Sequence, residues 1–254
     1  MIYIIKIICH EELMNILITG SNGFIGRSLY KYLKKNSKHN IYTFTKNDVL
    51  DKIESLLYKL DIVFHFAGVN KSENHNDFKN INTNFTKKLC KVLAKNPKTS
   101  LFYASSIQVF LNNDYGKSKK EAEEACIELM KKFNNQVYIL RLPGIFGEGC
   151  KPNYNSVVST FCFNIANNIE LQITNPHKEI ELIYINDLCA QLNYLISNKN
   201  KESLVFFKNK HKISIENLSK TIKEFKNIST EDILLENLDE LKMNLFKTYL
   251  SFKN

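Results

Sequence analysis

Short apolar runs along the chain alternate with longer segments whose apolar residues recur at helical spacing. The runs at residues 15–19, 41–45, 61–66, 101–105 and 137–141 predict buried strands. Three of the segments between them predict helices, whose shared faces carry Phe24, Ile25, Leu29 and Leu33; Ile81, Phe85, Leu89, Val92 and Leu93; and Ala122, Cys126, Leu129, Met130 and Phe133. This alternation predicts an α/β fold with a doubly wound parallel sheet.

The regular alternation of predicted strands and helices ends after Pro143. A helix around residues 156–168, a strand near 180–185 and a terminal helix from a Ser214 cap to Phe225 predict a small C-terminal lobe. No stretch rich in Pro, Gly or Ser precedes this lobe, so we expect one domain over residues 14–254.

Composition narrows the classes of function. No run approaches the roughly 18 apolar residues that a membrane-spanning helix needs. The formal charge is +9, but the lysines are scattered without interleaved aromatic residues, so we do not expect nucleic-acid binding. The six cysteines lack metal-site spacing, which favours reduced thiols in a cytoplasmic protein without a metal. Residues 1–13 have no charged segment before their apolar run and no cleavage site after it, and are interpreted as an N-terminal extension.

A glycine-rich turn follows the first predicted strand. Gly20, Gly23 and Gly26 lie three residues apart, immediately before a predicted helix, and Asn22, Phe24 and Ile25 between them are further candidate cofactor contacts. Glycines at this place permit a sharp turn, close approach of a diphosphate and packing of helix on strand. The helix N-terminus attracts phosphate. The turn therefore predicts a dinucleotide site of the Rossmann type, with residues 14–142 mainly binding the cofactor and 143–254 mainly the substrate.

The end of the second strand indicates which dinucleotide binds. NAD-binding proteins usually have an acidic residue here for the ribose hydroxyls. In this chain the predicted strand ends at Thr45 and is followed by Lys46 and Asn47, and no carboxylate occurs before Asp48. We therefore expect NADPH, with NADH as the less favoured cofactor and Lys46 holding the 2′-phosphate. The alternative is that Lys46 is one more lysine on the protein surface.

A tyrosine and a lysine form the candidate catalytic pair. Tyr115 and Lys119 are four residues apart and share one helix face, where the ammonium can stabilise a tyrosinate for acid–base work. Ser106 comes at the end of an upstream strand, and the ends of such strands are where open α/β sheets bind ligands. Its hydroxyl is suited to polarise a carbonyl or to hold the tyrosine.

These motifs carry a family resemblance. The order GSNGFIG, HFAG, SS and YGKSK resembles the extended short-chain dehydrogenase/reductase superfamily (NAD-dependent epimerase/dehydratase), whose members mostly act on nucleotide-activated sugars. The resemblance implies that Ser106, Tyr115 and Lys119 are catalytic. It also implies that Ala67, Gly68 and Asn82 contribute to the cofactor site. His65 is interpreted as a packed strand residue rather than a base.

A narrower resemblance covers most of the chain. HFAGVNK, SSIQ and CKPNYNSVVSTFCFNIA are similar to the reductase domain of the capsular-polysaccharide enzymes that make UDP-N-acetyl-L-fucosamine. It implies NADPH-dependent reduction of the 4-keto group of a UDP-2-acetamido-2,6-dideoxyhexulose. The segment LFKTYLSF resembles the lead into a C-terminal cupin domain, and because the chain ends at residue 254 we expect neither that domain nor its C3-epimerase activity.

Substrate contacts are predicted from the same stretches. The candidates are Asn70, Ser106, Gln108, Gly144, Lys151, Asn153, Tyr154 and Asn155. Gly144 departs from the family pattern, because many members have Asn there. Ile180 also departs, since it stands where others have an arginine for the diphosphate. Lys151, His177 or Lys178 are the candidate replacements for that arginine.

Two other functions stay open. A UDP-sugar 4-epimerase with tightly bound NAD is the enzymatic alternative, and a non-catalytic NADP(H)-binding protein is the other. A 4,6-dehydratase is disfavoured because Ile107 and Gln108, not acid–base residues, follow the serine. The helices around residues 82–95 and 115–133 predict a homodimer, because extended family members pair at the corresponding helices.

Overall fold

The main sheet has six parallel strands in the order β2-β1-β3-β4-β5-β8. The computed structural model describes residues 12–198, 203–205, 207–227 and 239–253, so the predicted extension lies outside them except for its last two residues. The strands are β1 (Asn15–Thr19), β2 (Asn40–Phe44), β3 (Ile62–His65), β4 (Ser100–Ser106), β5 (Val137–Leu142) and β8 (Leu204–Val205). The predicted parallel sheet is confirmed, with ends shifted by one residue in most strands.

Helices cover both faces of this sheet. They are α1 (Phe24–Asn36), α2 (Asp51–Leu56), a composite α3 over residues 75–93, α4 (Asp114–Phe133), α5 (Val157–Ala166), α6 (Ile185–Ser197), α7 (Ile215–Glu224) and α8 (Glu240–Leu250). Two short 3₁₀ turns lie at Leu57–Lys59 and Ile107–Phe110. Of the helices described, none is both long and apolar enough to cross a membrane.

The sheet separates two apolar clusters because strand side chains alternate between its faces. Ile16 and Ile18 of β1 belong to one cluster, with side chains from α1 and from α5 to α8. Leu17 belongs to the other, with side chains from α2, α3 and α4. The first cluster continues into the C-terminal lobe, so the two lobes share one core.

The C-terminal lobe differs from the prediction in three respects. A second sheet forms from β6 (Gly144–Phe146), β7 (Glu179–Tyr184) and β9 (His211–Ser214), with β7 antiparallel to β9. The pattern missed α6, which follows β7 directly. The Ser214 cap is confirmed, since its hydroxyl accepts from the Asn217 amide at 3.1 Å. However, α7 is not the terminal helix, because α8 follows it.

The strand order places a crevice at one edge of the sheet. The chain moves outward from β1 to β2, then returns to the other side of β1 to form β3, β4 and β5. The connection that leaves β1 and the connection that leaves β3 therefore run in opposite directions along the sheet. Open α/β sheets bind ligands in the crevice that this leaves between the carboxyl ends of the two strands.

Candidate functional site

The glycine turn lies at this crevice and has the close packing that a dinucleotide site requires. Gly20 has φ of +67°, and a Cβ there would lie 2.6 Å from the Ala67 nitrogen. A Cβ on Gly26 would lie 2.4 Å from the Gly20 carbonyl oxygen. The turn closes through a bond of 2.9 Å from the Gly23 amide to the same oxygen. Side chains are thus excluded at positions 20 and 26 of a turn that lines the cleft at the N-terminus of α1, an arrangement that fits a dinucleotide diphosphate.

The first carboxylate after β2, that of Asp48, is already engaged. Asp48 Oδ2 accepts from the Thr45 amide at 2.7 Å and from its hydroxyl at 2.9 Å, while Lys52 Nζ lies 2.7 Å from Oδ1. These contacts, Lys52 first, lower the pKa of Asp48 to about 2. Lys46 is exposed on the turn between Thr45 and Asp48. The end of β2 therefore presents the exposed Lys46, while the negative charge of Asp48 is balanced by Lys52.

Ser106, Tyr115 and Lys119 come together as predicted. Ser106 ends β4, and the other two residues lie one turn apart at the start of α4. Burial raises the pKa of Tyr115 above its ordinary value, and a hydrogen bond with the Ser106 hydroxyl partly offsets this. The phenol of Tyr115 is thus protonated at neutral pH.

Lys119 is buried beneath the tyrosine. Its Nζ donates to the Ala104 carbonyl at 2.8 Å and lies 5.1 Å from the ring centroid of Tyr103 and 6.0 Å from that of Tyr115. Burial lowers the pKa of Lys119 to about 8, against the opposing effects of Cys126 and Glu123. A buried ammonium at this distance can stabilise a charge that develops on the phenol oxygen.

A second network, centred on the buried Glu123, lies behind Ser106 and Lys119. The Glu123 carboxylate accepts from the Ser105 hydroxyl and forms an ion pair with Arg141 of β5. The Arg141 guanidinium in turn lies 4.8 Å from the ring centroid of Phe110. Glu123 thereby joins α4 to β4, to β5 and to the turn that carries Gln108.

Asn82 lies on an irregular segment of α3. That helix is α-helical at His75–Asp77 and Phe85–Leu93, but π-helical at Phe78–Asn84. The Asn82 side chain exchanges hydrogen bonds with the Val69 main chain at 2.8 and 2.9 Å and donates to Ser118 at 3.0 Å. Asn82 therefore clamps the loop after β3 to α4, directly behind the exposed Gly68.

His65 has the packed position that was expected. Its two ring nitrogens lie 2.7 Å from the Thr19 hydroxyl and 2.9 Å from the Thr86 hydroxyl, and its exposed fraction is 0%. Burial, followed by the charge of Lys119, lowers its pKa to about 3. His65 is a neutral core residue that ties β1 to α3.

One cleft of about 550 Å³ unites most of the predicted site residues. Those on its wall are Gly20, Asn22, Gly23, Phe24, Ile25, Gly26, Gly68, Asn70, Ser106, Gln108, Tyr115, Lys119, Gly144, Lys151, Tyr154 and Asn155. Four others lie outside it: Lys46, Ala67, Asn82 and Asn153. Among the described residues of the wall, the charged side chains are Arg27, Lys119 and Lys151, and none is a carboxylate. The cleft is therefore strongly cationic.

The loop before α5 forms the far wall. Lys151 Nζ lies 5.8 Å from the Tyr154 ring centroid. Asn153, with φ of +57°, instead lines a neighbouring pocket of about 350 Å³ together with Lys71. Gly144 belongs to β6, where a Cβ would lie 3.0 Å from a Leu182 side-chain carbon. A side chain at position 144 would therefore require Leu182 to shift.

Of the three candidate replacements for the missing arginine, only Lys151 lines the cleft. Ile180 is half-buried in β7, away from the wall. His177 is exposed and lies 3.8 Å from Glu216, and Lys178 also lies outside the wall. Neither residue is positioned to meet a ligand in this cleft.

Sequence reasoning missed two contributions to the site. Arg27 follows the last glycine of the turn, and its Nη2 donates to the Gly149 carbonyl at 2.8 Å across the cleft. Glu123 lies four residues after Lys119 and therefore on the same helix face, so this spacing could have indicated that Glu123 lies near the site. Arg27 gave no comparable signal, because its partner lies 122 residues away in sequence.

Comparison with known proteins agrees with this geometry. The model of the NAD dependent epimerase/dehydratase family matches residues 16–206. The chain belongs to the NAD-dependent epimerase/dehydratase family. The glycine turn, Ser106, Tyr115 and Lys119 all fall within the matched residues.

Within this family, the chain is similar to a curated relative and to solved structures. It is 36% identical over 241 residues to the UDP-2-acetamido-2,6-beta-L-arabino-hexul-4-ose reductase of Pseudomonas aeruginosa, covering 94% of this chain and 65% of the relative. The capsular polysaccharide assembling protein CapF from Staphylococcus aureus superposes with a TM-score of 0.80 and 32% identity, covering 95% of this chain and 66% of that one. This chain thus spans just under two thirds of either relative.

A third similarity concerns the fold alone. The UDP-glucuronic acid 4-epimerase from Bacillus cereus, solved with UDP-glucuronic acid and NAD, superposes with a TM-score of 0.81 at 18% identity. The match covers 94% of this chain and 99% of the epimerase. The arrangement of strands and helices is therefore shared well beyond recognisable sequence similarity.

Proposed function

We propose that this protein is an NADPH-dependent reductase of the 4-keto group of a UDP-2-acetamido-2,6-dideoxyhexulose, acting in the synthesis of a capsular or surface polysaccharide precursor. The observation that carries the proposal is the contact of Ser106 with Tyr115 above buried Lys119, on the same cleft as the glycine turn. The 36% identity to the Pseudomonas reductase supports the substrate class.

Tyr115 is the proposed proton donor. Burial raises the pKa of its phenol, so the proton is present when a ketone oxygen must receive it. Ser106 orients that oxygen through its hydroxyl, and Lys119 stabilises the tyrosinate left behind. NADPH supplies the hydride when bound. The residues at the glycine turn hold the cofactor, and Gly68 admits it beside Lys119.

NADPH is the proposed cofactor because of the groups at the end of β2. Ribose hydroxyls need a carboxylate acceptor, and the carboxylate of Asp48 is occupied by Thr45 and Lys52. A 2′-phosphate instead needs cations and hydroxyls, which Lys46 and Thr45 provide. Lys46 lies outside the cleft wall, so it would reach the phosphate only at the outer edge of the cofactor site.

The sugar nucleotide is proposed to bind opposite the cofactor turn. Asn70, Gln108 and Tyr154 offer amide and phenol groups for sugar or uracil, and Lys151 offers a cation for phosphate. A wall without carboxylates among its described residues suits two diphosphate ligands.

Product analysis tests this function. Purified protein with NADPH and the UDP-linked 4-keto-6-deoxy amino sugar should oxidise the cofactor stoichiometrically, and mass spectrometry should show a product heavier by two hydrogens. Tyr115→Phe is the matched control, because it keeps the cleft but removes the transferable proton. Substrate turnover without NADPH consumption would contradict the reductase.

The same experiment separates the alternatives. A UDP-sugar 4-epimerase would return an isomer of its substrate and would purify with NAD bound. A non-catalytic binder would retain NADP(H) without converting any sugar. The contact of Tyr115 with Ser106, which binding alone does not require, favours an enzyme.

A homodimer in the cytoplasm is the proposed state. The exposed residues of α3 include Lys87, Lys88 and Lys91, while those of α4 include Glu124 and Glu128. Because α4 also exposes Lys117, Lys120, Lys131 and Lys132, opposite charges would meet across a two-fold axis only where Glu124 or Glu128 faces a lysine of the other copy. Light scattering should give twice the mass of the chain, and raised salt should weaken the association.

A further inference from the structure

The cleft wall holds one cation that no step of the proposed reaction uses. Lys119 is committed beneath Tyr115, and Lys151 lies on the loop assigned to the sugar nucleotide. Arg27 is the third, on the first turn of α1. A diphosphate carries concentrated negative charge, which a cation without another role on this wall can bind.

The surroundings of Arg27 leave its guanidinium available. The side chain is exposed, and within the described part of the chain its hydrogen bond is the one from Nη2 to the Gly149 carbonyl. No carboxylate among those residues pairs with it. A guanidinium has five N–H donors in a planar fork, so most of them remain for a ligand.

Gly149 provides the main-chain surface on which the Arg27 guanidinium lies at the cleft. Its φ of +83° turns the chain sharply, and a Cβ there would lie 3.3 Å from Arg27 Nη2. The guanidinium therefore packs against bare main chain, between the glycine turn on one side and the loop with Lys151 on the other. From this place it faces the crevice where the helix N-terminus already favours phosphate.

We propose that Arg27 is a diphosphate-binding residue of the cleft. The proposal rests on the proposed binding of NADPH and a UDP-sugar. The shared chemistry is the diphosphate, which occurs in both ligands. The hydrogen bond to Gly149 holds the guanidinium between the two, so that its free N–H groups can bridge phosphate oxygens.

Equilibrium binding tests the proposal without turnover. NADP⁺ and UDP are titrated separately by calorimetry into the wild-type protein, Arg27→Ala, Arg27→Gln and Arg27→Lys. We expect Arg27→Ala to raise the Kd of at least one ligand about tenfold, the loss expected for one charge-assisted contact. Arg27→Lys should recover part of this affinity, because it keeps the charge but not the fork.

Arg27→Gln separates ligand binding from tethering. Glutamine can still donate to the Gly149 carbonyl but has no charge. If Arg27 serves only as a tether, Arg27→Gln should bind both ligands as the wild type does. If Arg27 contacts phosphate, Arg27→Gln should resemble Arg27→Ala, and the salt dependence of the affected Kd should be shallower.

The two ligands identify the source of the diphosphate. A loss confined to NADP⁺ assigns Arg27 to the cofactor, a loss confined to UDP assigns it to the substrate, and a loss in both assigns it to a bridging position. Unchanged Kd values for both ligands in Arg27→Ala would overturn the proposal.

Lys31→Ala is the matched control. Lys31 is exposed one turn further along α1 and lies outside the cleft wall. The variant Lys31→Ala therefore removes one positive charge from the same helix without removing a side chain that lines the cleft. A Kd change equal to that of Arg27→Ala would show a general field effect and would also overturn the proposal. Because no reaction is needed, failure of the reductase assay would leave these titrations informative.

Discussion

Arg141 donates two hydrogen bonds to the buried carboxylate of Glu123, from Nε at 3.0 Å and from Nη2 at 2.7 Å. The same carboxylate accepts from Ser105, the residue before Ser106. Since Glu123 lies on the helix that carries Tyr115, this pair connects the two strands behind the cleft to that helix. We expect the relative position of Ser106 and Tyr115 to depend on this pair.

Glu123→Gln should therefore impair catalysis more than cofactor binding. The amide is similar in shape but carries no charge, so the bonds to Arg141 weaken and the Ser106–Tyr115 contact loosens. We expect kcat to fall roughly tenfold, equivalent to about 1.4 kcal/mol in the barrier, with the KM for NADPH nearly unchanged. Steady-state kinetics with varied NADPH measures both.

Leu129→Ala is the control for this variant. Leu129 is buried on the same helix, and its truncation should cost about 2–5 kcal/mol of stability without touching the network. If Leu129→Ala reduced kcat as much as Glu123→Gln, the effect would come from general destabilisation, and the positioning role of Glu123 would be wrong.

Tyr115→Phe should abolish most turnover and retain cofactor affinity. The substitution removes only the phenol oxygen, and with it the proton donor. The catalytic contribution of a positioned acid is about 10²–10⁴-fold, so kcat should fall by that order. NADPH binding by fluorescence titration should stay within about twofold, and wild-type rates in Tyr115→Phe would refute the mechanism.

Lys46→Asp should narrow the preference between the two cofactors. An acid after β2 repels the 2′-phosphate and accepts from ribose hydroxyls, so kcat/KM should fall for NADPH and rise for NADH. Lys59→Asp serves as the charge control, because Lys59 is an exposed lysine in the 3₁₀ turn that follows α2. Equal kcat/KM values for the two cofactors in the wild type would contradict the assignment.

His65 should make stability depend on pH. Burial lowers its pKa from 6.5 to about 3, so between these values the unfolded chain binds a proton that the folded protein does not. Stability due to neutral His65 is thus present above pH 6.5 and is lost as pH falls towards 3. The slope is at most about 1.4 kcal/mol per pH unit.

The comparison with His65→Gln isolates this effect. Glutamine retains hydrogen-bonding groups for Thr19 and Thr86 but does not titrate. Urea unfolding at several pH values should give a steeper dependence in the wild type than in His65→Gln over this range. Parallel curves would show that His65 does not contribute.

The loop with Lys151 should act on the sugar nucleotide. Lys151→Ala and Tyr154→Ala should each raise the KM for the UDP-sugar several-fold, through a lost phosphate or ring contact, and leave the KM for NADPH nearly unchanged. Lys178→Ala is the control, because Lys178 is exposed outside the cleft. Equal weakening of both ligands would indicate a purely structural loop.

Local patterns determined much of this protein. The β1 run was predicted with its observed ends, the glycines predicted the turn before α1, and the Tyr115–Lys119 spacing predicted that both residues share one face of α4. Each of these depends on residues a few positions apart, where periodicity and backbone geometry act directly. The resemblance to a known family then indicated which ligands such a turn binds.

Only the tertiary structure decided the contacts that join distant segments. The ion pair of Glu123 with Arg141, the clamp of Asn82 on Val69 and the bond of Arg27 to Gly149 each link separate elements. The small sheet β6-β7-β9 likewise depends on pairing between remote strands. The pattern of apolar residues in a segment predicts which face of that helix or strand is buried. Which polar side chains meet depends instead on how whole elements pack against one another, because that packing brings side chains from distant segments together.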